Sequence, residues 1–276
     1  MKAVSVIIPT YNRAALLKKA IDSVLEQTYR NFELIVVDDG SSDDTKAFVS
    51  GYEDDRLRYI FQDNRGPSVA RNRGIQEAQA NFIAFLDSDD WWRSDKLAIQ
   101  LRAMQEQKDY LISHTQEIWY RHGELLNQKK KHAKSGGDIF KQSLALCAVS
   151  MSTAMVDRKL FDAVGVFDET LPCCEDYDFW LRVSARYQFF LLDESLTLKD
   201  GGRPDQVSSR FARCMDRYRI YSMRKLLESN GVRREQRCLL IEELARKCAI
   251  YGQGCIKYGR KEEGEQYLRL VQEYRK

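Results

Sequence analysis

Four stretches of this 276-residue chain carry side chains whose type and spacing suit chemistry. Asp87-Ser88-Asp89-Asp90 crowds three carboxylates into four residues. Such groups repel and are stable together only when solvated, hydrogen-bonded or metal-bound. Their hard oxygens suit Mg²⁺ or Mn²⁺, which take one or two protein carboxylates and complete their shell with phosphates and water. The competing reading is an acidic turn capping the next helix. Asp38-Asp39 precedes Gly40 and reads either as turn residues or as acceptors for donors on a base or ribose. Arg71, within Ala70-Arg71-Asn72-Arg73-Gly74, is either a diphosphate ligand or a surface arginine laid along its helix. Glu175-Asp176-Tyr177-Asp178 complements a helix dipole or supplies a general base held among apolar neighbours.

The elements that must position these residues follow from periodicity. Val4–Ile8, Leu34–Val37, Leu57–Phe61 and Phe82–Leu86 are short apolar or β-branched runs. Between them, Leu17, Ile21 and Val24 recur at helical spacing. Ser41–Asp44 leads into a helix through Thr45–Val49, and Gly66-Pro67-Ser68 opens another that runs to Ala78. Repeated β-α-β predicts an α/β protein with a mostly parallel sheet and helices on both faces. Ligands of such sheets bind beyond the carboxyl ends of the strands. Pro9-Thr10-Tyr11, Asp38-Asp39 and Asp87–Asp90 all follow strand ends, so they converge on one rim. Farther on, the sequence predicts a helix over Ser94–Gln107 capped by Ser94 and an exposed basic loop at Gln128–Gly137. It also predicts strands at Ser152–Val156 and Phe189–Leu192 around a helix at Glu175–Ala185. From Phe211 onward the signals are helical, with an apolar seam at Leu240, Leu244, Cys248, Tyr251 and Cys255 that ends near Gly259. The domain change is expected near Gly201-Gly202. That gives residues 1–202 as the binding and catalytic domain and 203–276 as an all-helical C-terminal appendage.

Composition narrows the class. The longest apolar runs are about five residues, against the roughly 20 needed to span a bilayer, and Met1–Ile8 has no leader-like apolar stretch. A cytoplasmic protein is expected, at most peripheral to the inner face of a membrane. The seven cysteines form no CxxC or zinc spacing and read as reduced, buried thiols. Charge is uneven: residues 1–202 hold 26 basic and 31 acidic side chains, and residues 203–276 hold 18 and 10. A basic tail behind an acidic body suggests contact with phosphates or an anionic membrane face, or simply a solvated helical face.

Taken together, VSVIIPTYNR (4–13), LIVVDDGSSDDT (34–45), NRGPSVARNRGI (64–75), FIAFLDSDDWW (82–92) and CEDYDFWLRV (174–183) resemble the inverting family 2 glycosyltransferases of GT-A fold. The resemblance covers residues 3–200 or so. It implies that Pro9, Thr10 and Tyr11 line a nucleotide pocket, that Asp39 binds the base (uracil in most relatives) and that Arg71 lies near the nucleotide. Asp87 and Asp89 would form the DxD, which with Ser88 and Asp90 contacts the ribose and holds Mg²⁺ or Mn²⁺ on the diphosphate. Asp176 would be the catalytic base, with Glu175 beside it.

Two departures from the family pattern stand out. Many relatives carry a late histidine near the metal or acceptor, where this chain reads Lys199-Asp200-Gly201-Gly202-Arg203. The QxxRW of processive synthases is replaced by Gln206-Val207-Ser208-Ser209-Arg210-Phe211. The resemblance therefore implies a non-processive enzyme with a UDP-sugar donor and a saccharide or lipid-linked saccharide acceptor, set in surface-polysaccharide synthesis, without nucleic acid. The basic helices would meet an anionic lipid carrier, a membrane surface or another subunit, a homo-oligomer included. A silent nucleotide-sugar-binding scaffold would have lost its carboxylates. A nucleotidyltransferase would carry a glycine-rich loop near its N-terminus.

Overall fold

The computed structural model describes residues 2–121, 123–129, 132–203, 206–229 and 231–274. His122 and Lys130-Lys131 of the basic loop lie outside the described residues. The first half is the expected β-α-β series: β1 (Val4–Thr10), α1 (Ala14–Leu25), β2 (Phe32–Asp38), α2 (Thr45–Ser50), β3 (Leu57–Phe61), α3 (Pro67–Glu77) and β4 (Phe82–Phe85). These four strands lie parallel in the order β3-β2-β1-β4. β2 is buried throughout its length and β1 almost so, as continuous Val/Ile runs covered on both faces must be. One face packs on α1 through Leu17, Ala20, Ile21 and Val24. The other face packs on α3 and a cluster of aromatic side chains. α3 lies so close to β1 that a Cβ at Gly74 would collide with the Ile7 side chain, which accounts for a glycine inside a helix.

After β4 the sheet turns mixed. β5 (Asp90–Trp92) and α4 (Lys96–Glu106) lead to β6 (Ile112–Arg121) and β7 (Glu124–Leu126). Then come α5 (Phe140–Ala145), a 3₁₀ turn at Met151–Thr153, β8 (Met155–Asp157), α6 (Lys159–Val164), α7 (Glu175–Ser184) and β9 (Phe190–Gly201). β8 runs antiparallel to β4 and β6, β6 parallel to β9, and β5 antiparallel to β9. The ten-residue β6 escapes the apolar-run reading because its first half, Ser113-His114-Thr115-Gln116, is polar though mostly buried. β9 extends the expected Phe189–Leu192 strand to twelve residues, because Asp193-Glu194-Ser195 interrupts its apolar run. The basic loop departs from its expected exposure at Lys134, whose side chain is buried with its ammonium 3.4 Å from Glu117. The cap of α4 is Asp95 rather than Ser94, with no side-chain cap bond; the Leu97 amide donates to Gln27 Oε1 (2.8 Å) instead.

The tail is helical: α8 (Val207–Arg210), α9 (Met215–Glu228), α10 (Arg234–Lys257) and α11 (Lys261–Tyr274). The seam of α10 (Leu240, Leu244, Cys248, Tyr251, Cys255) is buried. It joins Ile220 and Met223 of α9 with Leu144 of α5 and Tyr177 and Leu181 of α7 in one core. Lys225 ties α9 to the loop and helix below through Asp168 (2.7 Å) and Asp178 (2.9 Å).

Lys96, at the start of α4, is fully buried. Its ammonium meets the Gln100 side chain and lies over the Trp92 ring, and burial pulls its pKa down to about 7. The folded state therefore releases this proton near pH 7, whereas the unfolded chain holds it to about pH 10.4. Between those values the unfolded state binds more protons, so stability rises with pH, at up to about 1.4 kcal/mol per unit. Denaturant midpoints from pH 7 to 10 should climb in the wild type and lose that slope in Lys96→Met. Parallel curves for the two proteins would refute the assignment.

Candidate active site

The strand order reverses between β2-β1 and β4, so a crevice opens beyond the carboxyl ends of β1 and β4. Thr10 lies in register with Asp38, and the Leu86 amide still bonds to Ile7. The Pro9–Tyr11, Asp38–Asp39 and Asp87–Asp90 segments therefore share one rim. Asn12 turns the chain there at φ 51°, a left-handed conformation that asparagine tolerates. Its amide donates to Ser41 Oγ, and its Oδ1 accepts from the Ser42 amide, both at 2.8 Å. Tyr11 is exposed at the rim, and Thr10 is buried with an Oγ1 that has no hydrogen-bond partner.

Asp39 is buried, and its carboxylate accepts from Gln62 Nε2 (2.7 Å) and the amides of Arg65 (3.0 Å) and Gly66 (2.8 Å). Asn64 Nδ2 donates to the Asp39 carbonyl at 2.9 Å. The expected base-binding aspartate thus also fastens the loop that starts α3. Gly66 permits the approach at φ 93°, and Pro67 then begins the helix without needing a donor. Along α3, Ser68 bonds to the Leu171 carbonyl (3.2 Å) and Asn72 brackets Phe167 through its carbonyl (2.9 Å) and amide (3.0 Å). Those contacts fix the segment that leads into α7.

Arg71 sits at the centre of this arrangement. Its side chain is 7% exposed; one NH group donates to Asp87 Oδ1 at 2.8 Å and the other to the Glu175 carboxylate. The sequence reading placed this arginine beside the nucleotide; the structure uses both of its terminal nitrogens to join two carboxylates. Burial disfavours its charge, but Glu175 and Asp87 together raise its pKa. Burial likewise opposes ionisation of Asp87, yet Arg71, Lys199 and Arg13 hold its pKa below the usual carboxylate range. Glu175 goes the other way: burial raises its pKa, Arg71 opposes that, and neighbouring Asp176 adds to it.

Asp176 is half-buried in the first turn of α7. Cys174 precedes it at φ 61°, a strained conformation for a side chain with a Cβ. Asp176 Oδ1 accepts from the Tyr177 amide (2.6 Å) and Oδ2 from Cys147 Sγ (3.3 Å). Burial and the adjacent carboxylate push the Cys147 thiol well up, so it stays a donor. Cys147 was read only as a packing thiol, and no signal near it marks this contact.

The acidic turn divides. Asp89 Oδ2 meets Arg13 (3.3 Å) and the Arg203 guanidinium. Asp90 starts β5, is buried, and accepts from Ser152 Oγ (2.6 Å) with Lys199 Nζ 3.3 Å away. Burial pushes the Asp90 carboxyl up to about 8, against the pull of Lys199. Ser88 is buried beside it. Among the described residues no three His, Cys, Asp or Glu side chains converge as a metal cage. Asp87 and Asp89 each leave one carboxylate oxygen outside these ion pairs, which fits a cation that takes two carboxylates and completes its shell with phosphate. Asp90 likewise has one oxygen, Oδ2, engaged, by Ser152 and Lys199 together. Lys199 and Arg203 occupy the stretch where a histidine was sought; the pairing of Asp90 with Lys199 across β5 and β9 became visible only once β9 was seen to run that far.

A crevice at a strand-order reversal is where α/β proteins of this kind seat their ligands, and here carboxylates and arginines ring it. Residues 5–165 match the profile of Glycosyl transferase family 2; the chain belongs to that family. An uncharacterized glycosyltransferase of Rickettsia felis is 38% identical over 201 residues, covering 70% of this chain and 32% of that protein. Escherichia coli WfgD, a UDP-Glc:alpha-D-GlcNAc-diphosphoundecaprenol beta-1,3-glucosyltransferase, is 33% identical over 184 residues, covering 65% of this chain and 69% of that protein. The chain thus spans about a third of the length of its rickettsial relative. Staphylococcus aureus TarS 1–349 in complex with UDP-GlcNAc superimposes with a TM-score of 0.73 at 21% identity, over 98% of this chain and 79% of that one. The fold is therefore GT-A, followed by C-terminal helices.

Arg71→Lys tests the bridge. A lysine keeps the charge but not the planar fork that reaches two carboxylates at once. Sugar transfer should fall about 100-fold, the cost of misplacing reacting groups by about 1 Å, with an unchanged circular dichroism spectrum. Wild-type turnover in that variant would show that the bridge does not position the site.

Proposed function

We propose that the chain is an inverting glycosyltransferase that moves a sugar from a UDP-sugar to a hydroxyl of a lipid-linked saccharide during bacterial surface-polysaccharide assembly. The observation that carries this reading is the Arg71 bridge, which puts the donor-side Asp87 and the acceptor-side Glu175-Asp176 pair on one crevice. The donor and acceptor named for WfgD and the UDP-GlcNAc held by TarS support the same assignment. Residues 203–276 then act as an acceptor-side appendage to the catalytic domain.

In this reading Pro9, Thr10, Tyr11 and Asp39 receive the uridine, and Ser88 and Asp87 the ribose and phosphates. Asp176 takes the proton of the acceptor hydroxyl while that oxygen attacks the anomeric carbon. The bond to the diphosphate breaks with its electron pair leaving on the phosphate oxygen, and the anomeric centre inverts. Cys147, by donating to Asp176 Oδ2, orients the carboxylate that accepts the proton. Glu175, tied to Arg71, holds the first turn of α7 against the donor. Asp87 and Asp89 would hold Mg²⁺ or Mn²⁺, which would neutralise charge building on the leaving diphosphate. Arg13 and Lys199 face the same carboxylates and add positive charge to that wall.

Titration calorimetry of UDP with and without Mn²⁺, together with turnover assays, separates the roles. Asp89→Ala should weaken metal-dependent UDP binding. Asp176→Asn should bind UDP as the wild type does and lose about 10²–10⁴ in turnover, the usual worth of a general base. A wild-type protein that binds no nucleotide in the presence of metal would sink the proposal, and an active Asp176→Asn would remove the base assignment alone.

A further inference from the structure

Asp89 is held by two guanidiniums from distant segments of the chain. Arg13 follows β1 and the left-handed turn at Asn12, and its guanidinium lies 3.3 Å from Asp89 Oδ2. Arg203 follows β9, after Gly202 turns the chain at φ 88°. One of its NH groups donates to that same Asp89 oxygen and the other to the Asp200 carbonyl (2.9 Å). The turn is braced from the α8 side, where Gln206 Oε1 accepts from the Gly202 amide (2.9 Å) and Ser209 Oγ donates to the Arg203 carbonyl (3.1 Å). The side chains of Arg13, Asp89 and Arg203 remain 18%, 10% and 20% exposed. A ligand entering the crevice can therefore reach them.

The acidic turn is matched in charge by the chain's own side chains. Asp87, Asp89 and Asp90 pair with Arg71, Arg13, Arg203 and Lys199, and Arg71 also serves Glu175. Among the described residues, four carboxylates thus meet four cations. Protonation of Asp90 would only leave the cations in excess. A divalent cation entering alone would add its charge beside two guanidiniums and an ammonium, with little net field to draw it in. A nucleoside diphosphate entering alone would find guanidinium forks of suitable shape, but Asp89 already engages them. The two ligands together resolve both conflicts. A cation on Asp89 releases the arginines, and the diphosphate takes them up.

We infer that Arg13 and Arg203 are exchange ligands, which hold Asp89 until a nucleoside diphosphate arrives with a divalent cation, then yield the carboxylate to the cation and grip the diphosphate. The cation therefore binds with the nucleotide and hardly at all without it. The inference rests on the sugar-transfer reading above and adds the two side chains that couple the cation to the donor.

Two titrations of the full chain test it. Mn²⁺ is followed by the paramagnetic resonance of the free ion, with and without UDP, and UDP by calorimetry, in EDTA and in Mn²⁺. In the wild type UDP should tighten Mn²⁺ binding about 100-fold, within the usual range of coupling between two sites, and Mn²⁺ should tighten UDP by the same factor. Arg203→Gln should move the two single-ligand affinities in opposite directions. Mn²⁺ alone should bind about tenfold tighter and UDP alone about tenfold more weakly, a modest fraction of one charge–charge interaction near a protein surface. Arg13→Gln should repeat that pattern independently. Arg203→Lys keeps the charge but not the fork, so it should bind Mn²⁺ alone as weakly as the wild type while UDP binding stays impaired. Arg102→Gln, which removes an exposed arginine from α4, should change neither. Arginine variants that weaken both ligands together would make these side chains structural ties and overturn the inference, as would variants that alter neither affinity. A wild type that binds Mn²⁺ equally well with and without UDP ends the inference and leaves the donor reading standing. One that binds no UDP even with Mn²⁺ removes the donor reading and this inference with it.

Discussion

The arrangement of this molecule depends on one buried guanidinium. Asp87 ends the run after β4, and Glu175 begins α7; 88 positions separate them in the chain, and each is costly to bury ionised. Glu175 is buried and Asp87 partly so, and Arg71 stabilises both by donating to each. Taking Arg71 away leaves the buried Glu175 carboxylate without its cation, the situation in which breaking a buried pair becomes costly. The constraint runs backward into the fold. For Arg71 to reach both carboxylates, α3 must lie hard against β1, which Gly74 permits. The α3 N-terminus must also be fixed, which Asp39 does through the amides of Arg65 and Gly66.

The same logic explains the density of polar residues along a helix that is mostly buried. Ser68, Arg71 and Asn72 lie on one face of α3 and bind, in turn, the Leu171 carbonyl, two carboxylates and the Phe167 backbone. A helix with so little apolar surface gains little from hydrophobic burial. Its position is set instead by satisfied hydrogen bonds, each modest in net worth but expensive to leave unmade. The loop at Asp39 and the segment leading into α7 are therefore fastened to one rigid element, which is how segments distant in the chain keep a fixed geometry.

Legibility in the sequence tracked how local the determining physics was. β1 to β4 and the helices between them were readable because apolar runs and a 3.6-residue period report on burial within a few residues. The rim carboxylates were readable because strand ends in such a sheet share a side. β6 and most of β9 were not, since polar side chains break their apolar runs, at Ser113–Gln116 in one and from Asp193 onward in the other. Lys199 illustrates the loss: nothing adjacent marks it, and its role at Asp90 exists only through the pairing of β5 with β9. Asp90 was grouped with its neighbours by spacing alone. Spacing cannot reveal that a strand begins at that residue and turns its side chain toward Ser152. The Cys147–Asp176 contact was hidden for the same reason.

The helical tail follows a different rule. Its charge suggested a separate surface module, yet Ile220, Met223, Leu240 and Leu244 share a core with Leu144, Tyr177 and Leu181 of the body. Lys225 adds an ion pair to the deeply buried Asp178, which Arg182 also holds. Helices that merely recruited the protein to a surface would not need to contribute to the core behind the α7 turn. Ile220 and Met223 of α9 pack in the same core as Tyr177, the neighbour of Asp176. The tail's packing, rather than its charge, ties it to the helix that carries Asp176.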